Sequence, residues 1–163
     1  VEKFGAGEVL FAESASEKAG LWKLRRKVGE AVKSHSIYKE EDTVVPRAEL
    51  ARLLIGVKEI GDKFGFKSVC YGHAGDGNLH VNILKEDMTD EAWEQDLPMG
   101  IREIFTLVKQ LGGTISGEHG IGLVQKDYLD IVFTPIEMEI MKGIKKQFDP
   151  NLILNPGKIF NGI

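Results

Sequence analysis

The stretch YGHAGDGNLHVN, residues 71–82, constrains the fold more than any other part of this 163-residue chain. Asp-Gly is a favoured centre for a two-residue hairpin, because both central positions of that turn need positive φ. Apolar alternation on its far side supports a strand pair. With Asp76 and Gly77 at the centre, Gly75 faces Asn78, Ala74 faces Leu79 and His73 faces His80. Side chains directly opposed across such a pair lie about 4.5–5.5 Å apart at Cβ. Two imidazoles at that spacing can share one metal ion. Asn82 falls on the same face as His80, while Leu79, Val81 and Ile83 fall on the other, toward a core. The plain alternative is a hairpin turn whose histidines are ordinary surface or core residues, and on the residues alone both readings stand.

Around this hairpin the chain reads as five helices and few strands. Ser14 or Ser16 caps a first helix running to about residue 34, with a stripe of Leu21, Leu24, Val28, Ala31 and Val32. Pro46 opens a second, striped by Leu50, Leu53, Leu54, Val57, Ile60 and Phe64 and ended by Gly65. A third spans about 90–111, interrupted near Pro98, and carries Leu97, Ile101, Ile104, Phe105, Val108 and Leu111. A short fourth covers about 119–129, and a fifth starts near Pro135 with Ile136, Ile140, Ile144 and Phe148. The strands are 66–72 and 78–84 as a pair, 113–116 as a third, and 8–12 as the remnant of a fourth. Without βαβ regularity, this is an α+β fold with a small antiparallel sheet covered by about five helices, in a single domain over 1–163.

Composition narrows the function. A net charge of −4 leaves no basic footprint for nucleic acid or an anionic membrane. LARLLIGV (50–57) contains an arginine and is far short of a membrane span. No signal peptide is visible, and a single cysteine, Cys70, allows no internal disulfide, which fits a reducing compartment. The start VEKFGAGEVLFAES, without methionine, reads as a piece of a longer protein.

A second motif, GGTISGEHGIG (112–122), supplies what two histidines lack. A catalytic zinc usually has three protein ligands and an open position. Glu118 offers a hard oxygen ligand and His119 a general base, with glycines on both sides permitting close approach. The alternative is a strand-to-helix loop with Glu118 in a helix's first turn, where a carboxylate is favoured. Arg25 lies at the edge of the first helix's apolar arc, where an arginine either meets an anionic partner or snorkels to water.

Together, GHAGDGNLHVN, GGTISGEHGIG and FDPNLILNPGKIF (148–160) resemble the C-terminal domain of FAD-linked oxidases and dehydrogenases acting on 2-hydroxy acids. That group includes the D-type subunit of glycolate oxidase, D-lactate dehydrogenases and D-2-hydroxyglutarate dehydrogenase. KEEDTVVPR (39–47) most resembles the glycolate oxidase branch, and the likeness runs from about Leu21 to the end. The resemblance implies His73, His80 and Glu118 as ligands of a divalent metal such as zinc or manganese. It implies Asn82 and His119 in the substrate site, His119 as base, and Arg25 on the substrate carboxylate. Where some relatives carry a threonine four residues after that arginine, this chain has Gly29, so that contact is absent. Relatives place a lysine near 39–40, which makes Lys39 the counterpart. Asn155 of NPGK becomes a contact to FAD, held mainly by an N-terminal FAD-binding domain that is not in this chain. Asp76 is either a partner behind a ligand histidine or plain turn chemistry.

The expected function is the substrate- and metal-binding domain of a flavin-dependent oxidase or dehydrogenase of glycolate or D-lactate type, inactive as a fragment. The expected partners are a small 2-hydroxy acid, the N-terminal FAD-binding domain and redox partner subunits. The expected location is the cytoplasm, peripheral to the inner membrane through those subunits. Two other readings differ in class: a self-contained metal-dependent hydrolase, active without flavin, and a non-catalytic metal-binding interaction module, indifferent to loss of His119.

Overall fold

The computed structural model describes residues 3, 5, 7–9 and 11–163, which fall into two compact units, 1–36 and 37–163. The first unit is built on helix α1 (Ala15–His35). Ser14 caps it, accepting from the Glu17 N–H, while the Glu17 carboxylate accepts from the Ser14 N–H, a reciprocal capping box. The expected stripe forms but is not covered: Leu21, Leu24 and Val28 are exposed. The remnant strand expected at 8–12 does not form, since Glu8, Val9, Phe11 and Ala12 carry no regular structure; position 10 lies outside the described residues.

The second unit is α+β, a four-stranded antiparallel sheet of order β2-β3-β1-β4. Its strands are β1 (Tyr38–Val44), β2 (Lys67–His73), β3 (Asn78–Leu84) and β4 (Thr114–Ile115). Helices α2 (Leu50–Phe64) and α3 (Leu97–Gln110) pack on one face, followed by the single turn α4 (Leu129–Val132) and by α5 (Pro135–Phe148). Val81 and Ile83 of β3 meet Leu53 and Val57 of α2 and Ile101, Ile104, Phe105 and Val108 of α3 in one buried core. Each such side chain contributes about 1.5–3 kcal/mol relative to exposure. The stripe of α3 is buried as its spacing predicts, and that of α2 is buried or half-buried except at Leu54, which is exposed. Gly65 ends α2 at φ 73°, and the interruption expected near Pro98 is instead a π-helical turn (Ala92–Asp96) that leads into α3, with Pro98 in its first turn.

Three further expectations need correction. The hairpin turn is longer: His73 pairs with Asn78, Gly72 with Leu79 and Tyr71 with His80, so residues 74–77 form the connection. Only Gly77 takes positive φ, at 76°, and Asp76 does not, so the two-residue turn is ruled out. Gly77 is instead tied to β1, its carbonyl accepting from the Val45 N–H at 3.0 Å, and a Cβ there would meet the Val45 oxygen at 2.0 Å. The second correction is β1 itself, a central strand where no strand was expected. The third is 119–129, which is loop until a 3-10 turn at Lys126–Tyr128. Gly120 and Gly122 sit at φ 79° and 54° there, which no helix accommodates.

Glu41 of β1 points to the core face opposite Val81 and is 1% exposed. Burial pushes its carboxyl up to about 8, against the pull of a Gln125 hydrogen bond and Lys39. A raised carboxyl is a proton held more tightly by the folded chain, so its contribution to stability is full below the ordinary value of 4.5 and is lost as pH rises through about 8. We therefore expect urea-unfolding stability to decline between these pH values by on the order of 4 kcal/mol more in the wild type than in Glu41→Gln. Equal declines would show that Glu41 does not carry the proton.

Candidate metal and substrate site

The other face of the sheet carries the polar residues. Antiparallel register puts Glu40 opposite Asn82, Asp42 opposite His80, and Tyr71 opposite His80 from the far side. Period two places His73, Asn78, His80, Asn82, Glu40 and Asp42 on this one face. The loop after β4 carries Ser116, Glu118 and His119 to it.

Asp42 anchors that loop. It is 1% exposed, and its Oδ2 accepts from the Glu118 N–H at 2.7 Å, the His119 N–H at 2.8 Å and the Ser116 hydroxyl at 3.2 Å. Its Oδ1 accepts from the Asn78 amide at 2.7 Å. Ser116, at φ 60°, accepts in turn from the Gly120 N–H at 2.7 Å and closes the loop. A Cβ on Gly117 would meet the Asn78 amide nitrogen at 2.2 Å, so only glycine lets the loop lie this close. Burial alone would raise the Asp42 carboxyl, but the N–H groups of His119 and Glu118 outweigh it and hold the carboxyl below its ordinary range.

The ligand atoms then converge. Nε2 of His80 lies 2.8 Å from Oε1 of Glu118, and Nε2 of His73 lies 3.8 Å from the same oxygen. His73, His80 and Glu118 each offer an atom within 4.8 Å of the others. Two ligands about 2.1 Å from a tetrahedral ion stand about 3.4 Å apart, so the set fits a first-row divalent cation after small adjustment. The His119 ring stacks on His80, centroids 4.7 Å apart, with its Nε2 4.0 Å from Glu118. Asn82 is fully buried, yet both its amide nitrogen and its oxygen lack a partner. A buried amide without partners is costly, and a bound oxygen-rich ligand would relieve it.

Two cavities flank the Glu118–His119 turn. One, about 590 Å³, is lined by Glu40, Asp42, His119 and residues 120–125. The other, about 650 Å³, has Glu118 at its rim, walls of Ile115, Leu129, Phe133 and Phe160, and Asn155 and Lys158 at its edge. That lining suits a flat, largely apolar ring with a polar border, as a flavin presents.

The remaining candidates are Lys39, Arg25 and Asp76. Lys39 pairs with Ile83 and has its Nζ 5.2 Å from the Trp93 ring centroid, yet it also lines the cavity of about 590 Å³ with Glu40, Asp42 and His119. Its neighbour Glu40 takes the site face, with Oε1 3.7 Å from Nδ1 of His80. Arg25 belongs to the first unit, its guanidinium 5.4 Å over Trp22. Asp76 is exposed in the hairpin connection, its N–H bonded to the His73 carbonyl. Sequence reasoning missed Asp42, Glu40, Asn78 and Ser116. Alternation of Glu40 and Asp42 within EED would have signalled them, had the strand been recognised.

Comparison with known proteins follows the same line. The family described as FAD linked oxidases, C-terminal domain, matches residues 1–159. A D-lactate dehydrogenase of Anaerostipes hadrus is 38% identical over 156 residues, covering 95% of this chain and 33% of that protein. A D-2-hydroxyglutarate dehydrogenase of Stutzerimonas stutzeri is 38% identical over 157 residues, 93% of this chain and 33% of its own length. The glycolate oxidase subunit GlcD of Bacillus subtilis is 39% identical over 120 residues, 74% and 25% of the two chains. The chain thus spans about a third or less of these curated relatives.

Asp42→Asn replaces an acceptor of two backbone N–H groups by an amide. We expect a loss of about 2–3 kcal/mol in urea unfolding at neutral pH and faster hydrogen exchange at the Glu118 and His119 amides. Because the folded carboxyl is depressed, the difference between wild type and variant shrinks as pH falls below 3.8. Unchanged exchange at both amides would show that another contact holds the loop.

Proposed function

This chain belongs to the C-terminal domain family of FAD-linked oxidases, and from that premise we propose that it is the substrate- and metal-binding part of a flavin-dependent 2-hydroxy-acid oxidoreductase. The substrate class is a small acid of the glycolate or D-lactate type. The observation that carries the reading is the convergence of His73, His80 and Glu118 beside a stacked His119 and an unpartnered Asn82.

When bound, the flavin supplies an acceptor for hydride from the α-carbon, and a divalent cation such as zinc or manganese supplies positive charge to the acid's oxygens. His73, His80 and Glu118 hold the cation. His119 takes the proton of the substrate hydroxyl at its imidazole nitrogen. Asn82 donates its amide N–H to a substrate oxygen and so gains the partner it lacks. Arg25 pairs with the substrate carboxylate through two parallel hydrogen bonds. Asp42 keeps the Glu118–His119 turn in place so that ligand and base face one volume. Asn155, at the rim of the apolar cavity, borders the flavin. Lys39, which lines one cavity with Glu40, Asp42 and His119, offers its ammonium to the substrate.

The reading takes residues 1–163 as one functional region completed by an N-terminal FAD-binding domain. It places the enzyme in the cytoplasm, meeting the inner membrane through redox partner subunits. No helix among the described residues is long and apolar enough to cross a membrane.

In the flavin-loaded full-length enzyme, with one cation per chain, His119→Ala is expected to lower kcat for glycolate or D-lactate by about 10²–10⁴-fold in a dye-reduction assay. Cation content by elemental mass spectrometry should stay unchanged. A kcat near wild type removes His119 as base, and oxidation of either acid by the flavin-free chain overturns the whole reading.

A further inference from the structure

His80 has two nitrogens and each faces a different set of ligands. Nε2 turns toward Glu118, whose Oε1 also faces Nε2 of His73. Nδ1 turns toward Glu40, 3.7 Å away, and Asp42, 3.8 Å away. Glu40, His80 and His119 form a second group whose ligand atoms all lie within 4.8 Å of one another. Nδ1 is buried and has no hydrogen-bond partner, on a residue 5% exposed.

The separation discriminates between occupants. At 3.7 Å, Nδ1 and the Glu40 carboxylate are too far apart for a direct hydrogen bond. A bridging water, with about 2.8 Å to each side at a tetrahedral angle, would hold them about 4.6 Å apart. A cation with about 2.1 Å to each ligand at that angle holds them about 3.4 Å apart, much nearer the 3.7 Å observed. Asp42 does not compete for this position, since its oxygens already accept from Asn78, Ser116, Glu118 and His119.

We propose that the site takes a second divalent cation, held by Glu40, Nδ1 of His80 and His119, beside the one held by Nε2 of His80 with His73 and Glu118. The proposal rests on the one-cation reading above. His80 then bridges two ions as imidazolate, and its Nδ1 proton passes to the buffer. Charge favours this. The carboxylates of Glu40, Asp42 and Glu118 converge on His80, and one divalent ion leaves that group net negative, with an anionic acid still to be bound. The second ion also takes the His119 lone pair. One cation therefore equips the site and a second withdraws its base, which makes excess divalent cation an inhibitor.

The test is the zinc content of this chain after equilibrium dialysis against excess zinc, by elemental mass spectrometry. Two ions per chain are expected in the wild type, one in Glu40→Gln, one in His73→Ala and none in His80→Ala, with circular dichroism confirming that each variant is folded. One ion in the wild type, lost in His73→Ala and kept in Glu40→Gln, overturns the second site and leaves the first standing. Two ions in Glu40→Gln overturn the proposal in favour of adventitious surface binding. No ion in the wild type overturns both readings.

Discussion

One buried carboxylate holds the functional half of this molecule together. Asp42 sits on a central strand, and its two oxygens take hydrogen bonds from three places in the sequence: the end of the hairpin at Asn78, the Ser116 hydroxyl, and the successive backbone N–H groups of Glu118 and His119. Charge-assisted hydrogen bonds of this kind are stronger than neutral ones. Four of them on one group offset the cost of burying it. They also fix the loop that brings Glu118 and His119 to the histidines of the neighbouring strand. Without that anchor, Glu118 and His119 would ride on a glycine-rich segment with no regular structure of its own.

The strand that carries Asp42 divides two environments by the alternation of its side chains. Glu40 and Asp42 face the histidines, whereas Lys39, Glu41 and Thr43 face the helices. Three acidic residues in succession thus meet three fates. Asp42 is kept ionised by donors. Glu41 is kept protonated by burial. Glu40 lies beside an unpartnered imidazole nitrogen. Tyr128, packed on the same side as Glu41, is pushed up to about 12 by burial and by that neighbouring carboxyl. The helix-covered face is therefore a low-dielectric environment even where it is polar.

Much of this was legible in the sequence, and the failures have physical causes. The apolar stripes of α2 and α3 gave both the helices and their buried faces, because periodicity and burial coincide there at every stripe position but Leu54. In α1 and α5 periodicity was right and burial was not: Leu24 is 67% exposed and Phe148 83%. A stripe marks a surface that some apolar neighbour would cover, and the residues alone cannot say whether that neighbour lies within the same unit. β1 was invisible because Glu-Glu-Asp has low strand propensity and its stability comes from pairing on both sides. His73, His80 and Asn82 do share one face although the turn was misjudged, and Glu118 and His119, singled out by their motif, lie beside His80. Asp42 was missed because a carboxylate that binds backbone N–H groups leaves no pattern in the sequence.

The hairpin carries a consequence for how relatives of this chain can diverge. Its connection runs through residues 74–77, and its far end is moored to β1 through the Gly77 carbonyl and the Asn78 amide. Hairpin loops of odd and even length alike can close one strand pairing, because their residues lie outside the ladder. A lineage could therefore lengthen or shorten this connection and still deliver both histidines to the same side. A single residue added inside β3, between Asn78 and His80, would instead turn that imidazole inward among the aliphatic side chains.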